Sequence, residues 1–126
     1  MLKILMSIDS KWANMIFDGT KKIELRKSRP KRKSPWQYTV VYLYDTHIKK
    51  VTGCFHTKID DIYPIEQYGP EHIRKTKVDL LEYLMYSKHR TVYAWPIYGV
   101  VKFHIPIDIE KFNVKRPPQS WQYTEY

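Results

Sequence analysis

A helix stop followed at once by a charged strand constrains this chain more than any other feature. Gly19 ends a predicted short helix, and Thr20-Lys21-Lys22 leads into Ile23-Glu24-Leu25-Arg26. Strand alternation puts Ile23 and Leu25 on one face and Lys22, Glu24 and Arg26 on the other. The fold must therefore house a strand with one apolar face and one face carrying cations around a single carboxylate. Ion pairing can hold such a face in shape and still offer positive charge to a ligand. A solvated edge strand with cross-paired charges has the same periodicity, and spacing alone slightly favours that plainer reading.

The segments around it set the fold class. Leu2 to Ile8 reads as a buried first strand, and Asp9 or Ser10 caps a helix with Trp12, Met15 and Ile16 at helical spacing. Residues 27–35 form a basic, proline-containing loop. Tyr38 to Tyr44 is the clearest strand, dominated by β-branched and aromatic residues. Val51 to Lys58 follows, with Gly53 suggesting a bulge. Residues 60–90 read as mainly helical, with Thr76-Lys77-Val78-Asp79 as a capping box ahead of an apolar face at Leu80, Leu81, Tyr83 and Leu84. Thr91 to Phe103 returns to strand, and Pro96 forces a bulge or an edge. Five or six strands unevenly interleaved with two or three helices predict an α+β domain built around a small barrel, with residues 1–126 as one domain.

Charge then speaks to partners. Lys and Arg number 22 against 13 Asp and Glu, a formal net charge of +9, so polyanions are the first candidates. The 11 tyrosines and 4 tryptophans bury area while keeping a polar handle, which suits a groove as well as a core. The longest apolar-aromatic run, Tyr38 to Tyr44, is far too short to span a membrane, and no signal peptide is visible. Cys54 is the single cysteine, excluding an internal disulfide, and the five scattered histidines give no metal-ligand spacing. No glycine-rich phosphate loop occurs. These features predict a soluble, cytoplasmic protein without metal or cofactor and without a membrane partner.

The chain resembles the ASCH domain family of the PUA-like superfamily. The resemblance rests on Leu5-Met6-Ser7-Ile8, the helix through Ile16, and a Gly-x-Lys-x-x-Glu-x-Arg pattern at Gly19, Lys21, Glu24 and Arg26. Tyr42-Leu43-Tyr44, Gly53, Tyr93-Ala94 and the closing Pro117-Pro118-Gln119-Ser120-Trp121-Gln122-Tyr123 are similar to that family's later segments. It implies a small PUA-like β-barrel with helices packed around a cleft. It also implies recognition of RNA or a nucleobase, and in some branches hydrolysis.

On that reading, Lys21, Glu24, Arg26 and Ser120 line a basic cleft that takes RNA or a nucleoside-type ligand. Lys21 acts as a charge or, if partly desolvated, as a base or nucleophile. Ser120, in a stiff proline turn, is a candidate catalytic partner for Lys21. Arg26 grips a phosphate or base edge, and Glu24 reads a base amino group; the alternative is a structural pair along the strand. Lys31, Arg32 and Lys33 belong to a run with six cations in eight residues from Arg26, read either as an electrostatic collar or as a solvated loop. Tyr44 and Tyr123 are candidate stacking residues, with core packing as the alternative. Besides binding, two other functions fit: a metal-independent hydrolase (a ribonuclease, or an amidohydrolase on modified nucleosides) and a protein-interaction module linked to transcription. Oligomeric state is not legible.

Overall fold

Alternation along the first strand divides the interior. The computed structural model describes residues 2–31, 38–67, 69–88 and 90–126, with the backbone alone at position 72. In β1 (Leu2–Ile8), Ile4, Met6 and Ile8 enter one core cluster with Val41, Leu43, Phe55 and Trp95. Leu5 points the other way, into a second cluster with Tyr44, Val51, Ile109 and Phe112. A strand apolar on both faces belongs in the middle of a sheet. There β1 lies, parallel to β3 (Tyr38–Asp45) and antiparallel to β8 (Trp121–Tyr123).

Helix α1 (Ser10–Phe17) makes the crossover between the parallel pair. Asp9 caps it by accepting from the Lys11 backbone N–H, and Gly19 follows at φ +86°, a left-handed turn that favours glycine. Its Phe17 lies over β4 (Lys50–Lys58) at Gly53, where a Cβ would come within 2.5 Å of the Phe17 ring and 2.4 Å of the Val101 carbonyl oxygen. Glycine is there because helix and sheet approach too closely for a side chain. The expected bulge is nearby, in the register slip that leaves Thr52 unpaired between Val51 and Gly53.

The strands divide into two sheets, and the expected closed barrel is not found among the described residues. One sheet has the order β7-β4-β3-β1-β8, and the other β2-β6-β5, with β2 at Ile23–Arg26, β5 at Tyr63–Pro64, β6 at Tyr93–Pro96 and β7 at Tyr98–Ile107. The predicted strand from Thr91 to Phe103 is broken at Ile97 into β6 and β7. Pro96 has no N–H for a ladder, and the Ile97 N–H turns to the Lys22 carbonyl at 3.0 Å. The chain thus leaves the small sheet and enters the large one within one residue. The coarse class stands: an α+β fold with mixed sheets.

Residues 60–90 are less helical than expected. They hold β5, two 3₁₀ turns (Ile59–Asp61 and Ile65–Gln67) and the helices α2 (Pro70–Arg74) and α3 (Leu80–Ser87). The cap of α3 is Asp79, which accepts from the Glu82 N–H at 2.8 Å. Thr76, predicted to open that box, instead donates to the Ile73 carbonyl. The apolar face of α3 is largely turned outward: Leu80, Leu81, Leu84 and Met85 are all more than half exposed. Tyr83 packs inward, against Ile23, Leu25, Ile65, Val92 and Ala94 on the outer face of the small sheet.

Candidate functional site

The period-two reading holds over Ile23–Arg26, with both faces buried, but Lys22, expected on the face of Glu24 and Arg26, lies outside β2 and is exposed. Ile23 and Leu25 pack outward into the third core cluster, so Glu24 and Arg26 are driven inward, toward β1. Relative exposure is 1% at Lys21, 5% at Glu24 and 9% at Arg26. Charges removed this far from water must satisfy one another.

They do so around the Glu24 carboxylate. Its Oε2 accepts from Arg26 Nε at 3.0 Å and from Nη2 at 2.7 Å, while its Oε1 lies 3.4 Å from Lys21 Nζ. The rest of the guanidinium is also used. Nη2 donates to the Ser7 carbonyl at 2.8 Å, and Nη1 reaches Ser120 Oγ at 3.2 Å and the Ser120 carbonyl at 3.3 Å. Lys21 donates to the Thr76 carbonyl and sits 4.7 Å from the centre of the Trp12 ring. Three electron-rich neighbours (a carbonyl, a carboxylate and an indole face) suit an ammonium better than a free amine. Burial pulls the Lys21 pKa below its ordinary value, with Glu24 opposing. Burial also pushes the Glu24 carboxyl up, but Arg26 and Lys21 outweigh it and leave that pKa lowered.

This trio floors a cleft of about 330 Å³. Trp12 and Tyr86 supply aromatic wall, Ile8, Leu25 and Val78 supply apolar wall, and Ser7, Thr46 and Gln119 add polar groups. Asp9 and Glu82 also line it, so among the described residues the charged lining is Lys21 and Arg26 against three carboxylates. Among the described residues the lining as a whole carries no excess of positive charge; its buried floor carries one.

The nominated residues do not all meet. Lys21, Glu24 and Arg26 converge. Ser120 joins them through Arg26, which stands between it and the other two; no hydrogen bond links Ser120 to Lys21 among the described residues. Tyr44 lies in the second core cluster at 7% exposure, where no base can stack on it. Tyr123 is on the surface of β8, pairs with Ile4 and meets the Trp121 ring edge-on at 5.5 Å. In the basic loop Lys31 is exposed, whereas Arg32 and Lys33 lie outside the described residues. Lys27 sits 4.7 Å over the Tyr86 ring, and Arg29 stacks on Tyr93 and donates to the Ile62 carbonyl. Those two cations fasten the loop.

Sequence reasoning missed Trp12 and Tyr86 as cleft walls and Thr76 as a partner of Lys21. Trp12 carries only helical spacing, shared with core residues, and Thr76 contributes a backbone carbonyl that side-chain identity does not encode. Among the described residues, no group of three or more His, Cys, Asp or Glu is placed to hold a metal ion, and no helix is long and apolar enough to cross a membrane.

Comparison with known proteins bears on the family and the fold. The sequence model of the ASCH domain matches residues 6–106. The crystal structure of ASCH from Zymomonas mobilis superposes with a TM-score of 0.77 at 19% identity, covering 96% of this chain and 86% of that one. A serine-to-alanine variant of the same protein gives 0.78 at 18%, covering 96% and 87%. A tyrosine-to-phenylalanine variant gives 0.78 at 18%, covering 96% and 88%. At such identities the likeness shows the fold. The chain is also 27% identical over 124 residues to the ATP synthase subunit alpha of Ureaplasma parvum serovar 3, covering 95% of this chain and 15% of that protein. It thus spans about 15% of the length of the curated relative it matches.

Proposed function

We propose, from the premise that this chain belongs to the ASCH domain family, that its cleft binds a small nucleobase-containing ligand. The observation that carries this reading is the buried Lys21–Glu24–Arg26 floor beneath aromatic walls. A cleft of about 330 Å³ fits a nucleoside-sized molecule and not a folded polymer. Trp12 and Tyr86 offer faces to a planar base, and the excess charge of the floor attracts a carbonyl or phosphate oxygen. In this reading Lys21 is a fixed charge. Ser120 is a positioning residue, holding the Arg26 guanidinium square to Glu24.

Equilibrium dialysis against a panel of nucleosides and their 5′-phosphates tests the assignment. At least one is expected to bind, and Lys21→Met, which removes the excess positive charge of the floor, should weaken it roughly tenfold or more, the worth of one charge-assisted hydrogen bond. Trp12→Leu, which keeps the Lys21–Glu24–Arg26 ion pairs but removes the indole face, should also weaken it. No binding by the panel, or binding unchanged in both variants, overturns the assignment.

One observation favours a second reading, a metal-independent hydrolase acting on RNA or a modified nucleoside: burial lowers the Lys21 pKa, the direction a general base needs. The two readings separate at Lys21→Arg, because an arginine cannot yield its proton. A fixed-charge role retains most binding in that variant. A base role instead shows turnover of RNA or acylated nucleoside in the presence of chelator, lost in Lys21→Arg while ligand is still bound.

A further inference from the structure

Where Ile97 carries the chain from the small sheet to the large one, a groove of about 650 Å³ opens that shares no lining residue with the cleft. Tyr63 of β5 and Tyr98 of β7 line it, one from each sheet, at 46% and 49% exposure. Lys22 and Lys75 line it too, both exposed. These lysines are adjacent by construction, since the Lys22 and Ile23 backbone N–H groups both donate to the Lys75 carbonyl, at 2.8 and 3.2 Å. The seam is also braced at Tyr98: Gly99 follows at φ +52°, its carbonyl 3.0 Å from His56 Nδ1.

The groove continues through Lys22, Ile97 and Tyr98 into a second hollow of about 300 Å³ beside Phe17. Lys102 reaches over the Phe17 ring at 5.9 Å. Two carboxylates face this surface: Asp61 in the first hollow and Asp18 in the second, where it accepts from Thr20. Aromatic faces interleaved with cations along an open track match single-stranded nucleic acid, which offers stacking bases on one side and phosphates on the other. An acidic peptide would use the lysines and leave the half-exposed tyrosines without a role.

We propose that this groove, separate from the cleft, is a binding track for single-stranded nucleic acid, with Tyr63 and Tyr98 stacking bases and Lys22 and Lys75 neutralising phosphates. It goes beyond the small-ligand reading of the cleft and stands without it.

The test is fluorescence anisotropy with labelled 12-mer oligouridylate and oligodeoxythymidylate across a salt series, using the full chain. The RNA and DNA arms distinguish the two sources of the same chemistry, and binding of either supports the track. Tyr63→Ala and Tyr98→Ala should each weaken binding roughly 5- to 150-fold, the loss of one stacked base. Lys22→Ala with Lys75→Ala should reduce the log–log salt slope by about 0.7 for each phosphate no longer neutralised. Lys22→Glu, at an exposed side chain, repeats the charge test should a tyrosine variant fold poorly. Trp12→Leu in the cleft should leave strand affinity unchanged, which separates failure of this track from failure of the nucleoside site. The proposal falls if neither oligonucleotide binds, if the tyrosine variants bind as the parent does, or if an acidic peptide binds in place of both strands.

Discussion

Two neighbouring regions of this molecule reverse the usual distribution of side chains. In the cleft floor, Lys21, Glu24 and Arg26 are almost wholly buried, whereas on α3 Leu81 is 67% and Met85 68% exposed. The floor tolerates burial because nearly every polar atom in it has a partner, so desolvation is offset by short charge-assisted hydrogen bonds. The helix tolerates exposure because the small sheet needs only Tyr83 and Val78 to complete its outer core. The difference teaches that burial here follows the partners available at each site, and only loosely the polarity of the residue.

The most severe way to break that comparison is Glu24→Ala. It leaves two buried cations facing each other without a carboxylate and should destabilise the fold by about 3–5 kcal/mol, read as a shift in a denaturant unfolding midpoint. A loss below about 1 kcal/mol, the level of an exposed pair, would mean that water reaches the floor.

Acid titration sharpens the same contrast by a smaller amount. The Glu24 pKa in the folded state lies below its ordinary value of 4.5, so the carboxylate contributes stability that is present above 4.5. That contribution disappears as pH falls through the lower folded value. Unfolding free energy should therefore drop with pH below 4.5, and the drop should shrink in Glu24→Gln. Equal acid slopes in the two proteins would place the titrating group elsewhere.

The smallest effect is expected at Leu81→Lys on the exposed side of α3. Stability should change by no more than about 0.5 kcal/mol, as at other surface positions, measured by thermal melting. A loss of several times that figure would reveal that Leu81 packs against something in solution.

Much of this was legible in the sequence because it is local. Apolar, β-branched and aromatic content located β1 and β3, alternation located β2, the Asp9 cap and Gly19 bracketed α1, and the resemblance to the ASCH family pointed to Lys21 beside Glu24 and Arg26. The strand and helix signals depend on dihedral preference and on side-chain period, which neighbouring residues set among themselves. What tertiary structure alone decided was which face of β2 looks inward. Ile23 and Leu25 found an outer core under Tyr83 and Ile65, and that choice drove Glu24 and Arg26 toward Ser7 and Ser120. The break at Ile97, the core position of Tyr44 and the backbone carbonyl of Thr76 beside Lys21 were decided the same way. Each depends on hydrogen bonds or packing between segments tens of residues apart, and no local preference encodes such a meeting.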